Sequence, residues 1–276
     1  LRNNRRPAVV SRGYGRKNEA DVVVVSDGES VLADAGTGGD EPVLIGSRLA
    51  GVPVIVGQNR YEAVLEALRR FNADVLILDD GFQHVRLERT CDIALVDAGN
   101  PFGNGRLFPA GILREPIRAL RRADAVVITR TDGVDVEPLK DAIRRKTPAR
   151  IFTSHQAPLD LIACCGSETK PLSALRGTRV LALSGIAQPS SFRSLLASRG
   201  AVIAGECAYP DHYNFKNSDL VDIFKKAADE KIAIIVTTEK DAARLKNLKP
   251  DGIWALRIES TVNEREAWEA FLMENL

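Results

Sequence analysis

Residues 75–84 read VLILDDGFQH, an apolar run that ends in two adjacent acids and then a glycine, an aromatic, an amide and a histidine. In open α/β sheets ligands bind beyond the carboxyl ends of strands. A hydrophobic strand delivering Asp79 and Asp80 there has the form of a Walker-B element, whose acid holds or orients Mg²⁺ at a nucleotide phosphate. The plain alternative is a strand closing in an acidic turn. In AGTGGDEPVLI (35–45) a glycine-rich stretch precedes Asp40, Glu41 and Pro42. A carboxylate on such a loop suits a general base or a metal ligand, and equally Asp40 could cap a helix beginning at Pro42. In PAVVSRGYGRK (7–17), Arg12, Arg16 and Lys17 follow a strand across two glycines. That is either an anion-binding turn, since Arg suits bidentate phosphate contact, or a solvated basic loop.

Three further segments carry candidates. YPDHYNF (209–215) sets His212 between Asp211 and Tyr213, where an imidazole can relay a proton or orient a carboxylate, or simply be structural. In VTTEKDAARL (236–245), Thr238 and Asp241 fit a capping box opening a helix, leaving Lys240 as an optional phosphate or nucleotide contact. NPFGNGRLFPAGILREP (100–116) is a long loop carrying Arg106, Arg114 and Glu115, and loops of that length in compact domains tend to be functional.

The elements that must position these residues read as α/β. Val- and Ile-rich runs at 7–11, 20–26, 52–56, 73–78, 91–97 and 123–129 predict buried strands, and the amphipathic stretches 59–72 and 137–147 predict helices between them. Strand and helix alternating in this way imply parallel βαβ units, a mostly parallel sheet with helices on both faces. Segment 148–178 breaks the rhythm with prolines and polar residues and reads as a connection. The rhythm then returns with strands at 178–185, 201–206 and 231–238, and ends in a helix with Trp268, Phe271 and Leu272 on its apolar face. Two domains are therefore expected, 1–150 and a smaller α/β unit, 151–276, whose connecting segment is 151–178.

Composition excludes several classes. Apolar residues at 45% and charged residues at 27% are those of a globular chain. With 38 Lys and Arg against 37 Asp and Glu, the net charge of +1 provides no field for nucleic acid, so any anionic ligand is met by local groups. Four cysteines without a C-x-x-C pair suit a reducing compartment. No apolar run approaches the roughly 20 residues of a spanning helix. The opening LRNNRRPAVV, with its immediate strand, leads us to expect a chain that begins inside a longer protein.

Taken in order, SRGYGRK (11–17), GDEPVLI (39–45), LDDGFQH (78–84), FGNGRLFPAGILRE (102–115), SGIAQPSSF (184–192), PDH (210–212) and TEKDA (238–242) resemble the tetraacyldisaccharide 4'-kinases, the lipid A 4'-kinases of Gram-negative bacteria. The resemblance implies a P-loop NTPase-like kinase of two α/β domains that uses ATP and Mg²⁺ to phosphorylate the 4'-hydroxyl of a tetraacylated disaccharide 1-phosphate. It assigns Asp40 as general base with His212 as its partner, and Asp79 and Asp80 to the Walker-B position with Glu41 sharing in Mg²⁺ binding. It makes Arg114 the cation at the transferring phosphate. Arg12 and Arg16, toward the substrate, and Lys240 complete the anion- and cofactor-binding set. His84 is read as local scaffolding. One departure stands out: G-x-x-x-x-G-K-[ST], which cradles phosphates in P-loop kinases, occurs nowhere in the sequence. The resemblance places that loop upstream, behind an N-terminal membrane helix. The expectation is thus an N-terminally truncated, inactive fragment with an uncovered sheet edge, from a monomeric enzyme at the cytoplasmic face of the inner membrane. The rival readings are a non-catalytic α/β binding module derived from such a kinase and a sugar-nucleotide-dependent glycosyltransferase.

Overall fold

The computed structural model describes residues 4–18, 21–211 and 213–276. Strands β1 (Pro7–Ser11) and β2 (Val23–Ser26) lead into a single-turn helix α1 (Ala35–Gly38) and helix α2 (Asp40–Arg48). Strand β3 (Val54–Val56), helix α3 (Arg60–Phe71) and strands β4 (Val75–Leu78), β5 (Ile93–Asp97) and β6 (Ala125–Thr129) follow. Next come α4 (Glu137–Arg144), β7 (Arg150–Ala163), β8 (Thr169–Pro171), β9 (Arg179–Ser184), α5 (Pro189–Ser198), β10 (Val202–Ala208) and α6 (Asn217–Asp229). The chain ends with β11 (Ile234–Thr238), α7 (Glu239–Leu245), β12 (Ile253–Val262) and α8 (Arg265–Glu274).

Two compact units result, one made of 1–79 and 158–258, the other of 80–157 and 259–276. This division differs from a linear cut at 150/151. Two of the three crossings fall inside long strands, β7 and β12, which serve both units, and no linear reading of composition marks such a point.

In the first unit one sheet has the order β2-β3-β1-β4, with β1 parallel to both β3 and β4 and β2 antiparallel to β3. Its core is Val9, Val25, Val43, Val52, Val54 and Val56. In the run β10-β9-β11-β12 all neighbours are parallel. There Val180 and Ala182 pack toward Phe192 and Leu196 of α5, while Leu181 and Leu183 pack toward Leu220 and Ile223 of α6. Strands covered on both faces need apolar side chains at every position, which is why they read as continuous hydrophobic runs.

In the second unit β5, β6 and the start of β7 are parallel neighbours. Val126 and Ile128 join Ile143 of α4 on one face, and Ala125, Val127 and Phe152 join Phe271 of α8 on the other. Trp268 meets Phe152 edge to face with centroids 5.0 Å apart.

Two elements depart from the sequence reading. The supposed connection at 148–178 holds the 14-residue strand β7, whose Pro158 and polar residues, some of them buried, break the apolar run that would announce a strand. Strand β12, IWALRIESTV, has no counterpart in the sequence reading. Among the described residues β4 and β5 each close one end of their sheet order, and each exposes an apolar side chain, Ile77 at 51% and Leu95 at 72%.

Candidate active site

The first unit draws five of the sequence motifs together. Two glycines at left-handed φ join SRGYG to GDEP: a Cβ on Gly13 (φ +67°) would lie 2.9 Å from the Gly38 carbonyl, and one on Gly39 (φ +91°) 3.1 Å from the Gly13 Cα. Only glycine allows backbones so close at such φ. Lys17 N–H donates to the Gly36 carbonyl at 2.9 Å, continuing the seam. At the carboxyl end of β4, the Asp79 N–H donates to the Val10 carbonyl (2.9 Å) and its carboxylate accepts from the Ser11 hydroxyl (2.9 Å). The acid after β4 is thereby fixed beside the basic turn after β1, as the parallel register Val10↔Leu78 requires.

Asp40 does not cap a helix starting at Pro42. Helix α2 begins at Asp40 itself with Gly39 as its cap, and the carboxylate is taken by a tertiary partner. Arg244 of α7 donates to Asp40 Oδ2 through Nε at 2.7 Å and approaches it through Nη2 at 2.6 Å. The same guanidinium uses Nη1 to reach Asp241 Oδ1 (2.9 Å) and the Gly185 carbonyl (3.0 Å). Asp241, fully buried, accepts from the Gly185 N–H at 3.0 Å and the Thr238 hydroxyl at 2.7 Å. The expected capping box is therefore half built: Thr238 accepts from the Asp241 N–H, but the Asp241 carboxylate serves Gly185 and Arg244, because a buried guanidinium needs a counter-charge more than an N-terminal N–H does.

Two more ion pairs run along the same α2–α7 seam. Lys240 Nζ lies 2.5 Å from Glu41 Oε1, and Arg48 clasps Glu239, whose other bond is to the Ile258 N–H (3.1 Å). The PDH segment adjoins: a Cβ on Gly185 would meet the Pro210 carbonyl at 3.3 Å, and the Tyr209 N–H donates to the Ser184 carbonyl (2.8 Å). Tyr209, Tyr213 and Phe215 cluster with centroids 4.6 to 5.3 Å apart. Burial pushes the Tyr209 hydroxyl up to about 12, so it remains protonated at neutral pH. His212 lies outside the described residues.

Of the basic turn, Arg16 is buried while Arg12 and Lys17 are exposed, so the picture of a solvated loop fails for Arg16. Asp34, which caps α1, accepts from the Thr37 hydroxyl and N–H, and these hold its carboxyl below the usual range.

In the second unit, Asp80 adopts a left-handed φ of +49°. A non-glycine residue held there stores strain, a common trait of ligand sites. Arg114 Nη1 binds both of its oxygens, at 2.8 and 2.7 Å. Glu115 pairs with Arg122 (2.8 Å), raising the guanidinium's pKa through that hydrogen bond, and Arg122 also covers the Phe82 ring at 4.6 Å. The His84 carbonyl accepts from Arg89 at 2.5 Å.

The expected cations and anions are thus joined to one another, Arg114 to Asp80 and Lys240 to Glu41. No three Asp, Glu, His or Cys side chains gather into a metal cage among the described residues. Mg²⁺ asks for less, one or two carboxylates completed by phosphate oxygens and water. Asp79, oriented by Ser11, or the exposed Asp80 meets that demand. Sequence reasoning missed Arg244 altogether and read Asp241 only as a helix cap and Gly185 only as part of a motif. The one local signal was the i,i+3 spacing of Asp241 and Arg244 in TEKDAARL.

Comparison with known proteins identifies the family and the fold. The family model described as tetraacyldisaccharide-1-P 4'-kinase, LpxK, matches residues 1–276. A tetraacyldisaccharide 4'-kinase of Syntrophus aciditrophicus is 44% identical over 98% of this chain and 75% of its own length. One of Anaeromyxobacter sp. (strain Fw109-5) is 47% identical over 87% of this chain, which spans only 65% of that relative. The crystal structure of LpxK from Aquifex aeolicus in complex with ATP superposes with a TM-score of 0.80 at 30% identity, covering 99% of this chain and 80% of that one. The mostly parallel α/β architecture is that P-loop NTPase-like kinase fold. The chain belongs to the tetraacyldisaccharide 1-phosphate 4'-kinase family.

Proposed function

We propose that this chain supplies the base, metal and substrate residues for transfer of the ATP γ-phosphoryl group to the 4'-hydroxyl of a tetraacyldisaccharide 1-phosphate. The observation that carries the reading is the Arg244 bridge, which draws GDEP, SGIA and TEKDA around one carboxylate, Asp40.

Phosphoryl transfer passes through a loose transition state, so the protein mainly positions groups and neutralises charge. Asp40, held in one orientation, accepts the proton of the sugar hydroxyl as the sugar oxygen bonds to the γ-phosphorus and the bond from that phosphorus to the bridging oxygen of ADP breaks, ADP leaving; His212 is the partner of Asp40. A modest base suffices when attack is little advanced. Bound at Asp79 or Asp80, with Glu41 close in sequence to Asp40, Mg²⁺ would supply charge neutralisation on the phosphates. Arg114 and Lys240 exchange their carboxylate partners for phosphate oxygens, which frees Asp80 and Glu41 for cations. Arg12 and Arg16 lie on the turn that faces anions in this reading.

Acting on an acylated lipid, the enzyme is proposed to work as a monomer at the cytoplasmic face of the bacterial inner membrane. No helix among the described residues is long and apolar enough to cross a membrane. These 276 residues contain no G-x-x-x-x-G-K-[ST], so catalysis is expected from a chain that carries such a loop in addition. The test is transfer of labelled γ-phosphate by that longer chain with Asp40→Ala, His212→Ala and both. A double variant hardly slower than the slower single supports a dyad. Multiplied losses refute it, and unimpaired transfer by Asp40→Ala refutes the base assignment.

A further inference from the structure

The loop 102–115 shows something the phosphoryl-transfer reading does not use. Its apolar side chains point outward: Phe108 is 80% exposed, Ile112 59%, and Leu107 is exposed as well. A soluble loop ordinarily tucks such residues away or lacks them, and a cluster of three in six positions marks a contact surface.

The tip is held open by its own backbone. Phe108 N–H donates to the Leu113 carbonyl (2.8 Å), Leu113 N–H to the Arg106 carbonyl (3.2 Å), and Asn104 Nδ2 to the Ala110 carbonyl (2.8 Å). A Cβ at Gly111 would overlap Asn104 Oδ1 and the Arg106 carbonyl, so glycine is required for this closure. These bonds close the tip on itself and leave Leu107, Phe108 and Ile112 at the surface.

Charge names the partner. Residues 102–122 contain five arginines, at 106, 114, 118, 121 and 122, and a single acid, Glu115. Arg114 and Arg122 are paired with Asp80 and Glu115. Arg106, Arg118 and Arg121 are exposed and make no side-chain hydrogen bond or ion pair among the described residues. An apolar tip with unpaired guanidinium groups on either side of it in the sequence is the chemistry of a segment that rests in an anionic bilayer, rings and aliphatic chains below the headgroups and arginines among the phosphates.

We propose that the 102–115 loop seats this protein on an anionic lipid bilayer, with Phe108, Leu107 and Ile112 entering the acyl boundary and Arg106, Arg118 and Arg121 meeting lipid phosphates. This contact needs neither ATP nor the disaccharide, so its failure leaves the kinase reading standing and the reverse also holds.

The test uses the 276-residue chain in flotation with vesicles of phosphatidylcholine alone or mixed with phosphatidylglycerol. The chain should float with the mixed vesicles, less as salt rises, and not with the neutral ones. Leu107→Ser combined with Phe108→Ser should weaken binding roughly tenfold or more, the loss expected from an aromatic and an aliphatic side chain. Arg106→Gln with Arg118→Gln and Arg121→Gln should abolish the preference for phosphatidylglycerol. Val221→Ser, at an exposed apolar position on α6, should bind as the parent does. In Phe108→Trp, tryptophan emission should shift to the blue when mixed vesicles are added. Equal flotation of parent and loop variants, no flotation of the parent, or an unshifted emission in Phe108→Trp each overturns the proposal.

Discussion

The guanidinium of Arg244 and the carboxylate of Asp40 stand 204 residues apart in the chain and 2.7 Å apart in space. Arg244 is only 5% exposed and binds a second, fully buried acid, Asp241. A buried pair of this kind is weak evidence for net stability, but breaking it by removing one partner leaves uncompensated charge.

Arg244→Gln should therefore destabilise the first unit by about 3–5 kcal/mol. Arg244→Lys keeps the charge but cannot span Asp40, Asp241 and Gly185 together, so it should recover only part of the loss. Denaturant unfolding of the three proteins checks both. In a chain competent for transfer, Arg244→Lys should lower kcat more than it raises KM, since what it loses is the orientation of Asp40. A change confined to KM would mean that Arg244 acts on substrate binding.

The Gly13–Gly39 approach makes a second, separable prediction. Gly13 and Gly15 both hold left-handed φ, but a Cβ at Gly15 meets open space while one at Gly13 meets the Gly38 carbonyl and Val56. Gly15→Ala should cost about 1–2 kcal/mol for backbone conformation alone. Gly13→Ala should cost that and a further ~1–3 kcal/mol for overlap. Thermal unfolding of the pair isolates the steric part, and equal costs would show that the two turns can part.

What the sequence made legible, and what it hid, follows from the range of the interactions. Strands such as β9 and β11 announce themselves because both faces are buried and their apolar runs, VLAL and IIV, are unbroken. Strand β12 begins the same way, IWAL, but its second half, RIESTV, turns partly exposed and polar, so the run looks too short and mixed to stand out. Asp40, Asp79 and Arg114 are visible as unusual residue types after strands or glycines. Arg244 is not, because its role is set by Gly185 and Asp40, partners that only folding brings near. The alternative that Asp40 caps a helix at Pro42 failed for the same reason, a tertiary charge outcompeting a local N–H.

Exposed apolar edges should govern how the isolated chain behaves. Leu95 on β5 is 72% exposed on a strand that pairs on one side only among the described residues. Such an edge is a template for pairing with another copy. Leu95→Lys should raise the concentration at which the protein begins to associate, with stability changed by no more than about 0.5 kcal/mol, as for surface substitutions generally. Light scattering against concentration reads the first effect, and denaturant unfolding the second. If association is unchanged in Leu95→Lys, edge pairing through β5 does not drive it.

Asp160 on β7 and Arg257 on β12 give stability a defined dependence on pH. The Arg257 guanidinium donates through Nε to Asp160 Oδ1 at 2.6 Å and through Nη2 to Oδ2, and this bidentate bond holds the carboxyl below its ordinary 3.8. Both side chains are less than a third exposed, so solvent screens the pair only in part. A group whose folded pKa is depressed contributes stability that is present in full above its unfolded pKa and is lost as pH falls through the folded one. Asp160→Asn should therefore cost about 1–3 kcal/mol at pH 7, the range for a charge-assisted hydrogen bond. The gap between variant and parent should stay constant down to about pH 4, near the reference value for an aspartate, and close at more acidic pH. Urea titrations at pH 7, 5, 4 and 3 measure this, and a gap already closing between pH 7 and 5 would assign the effect to a different group.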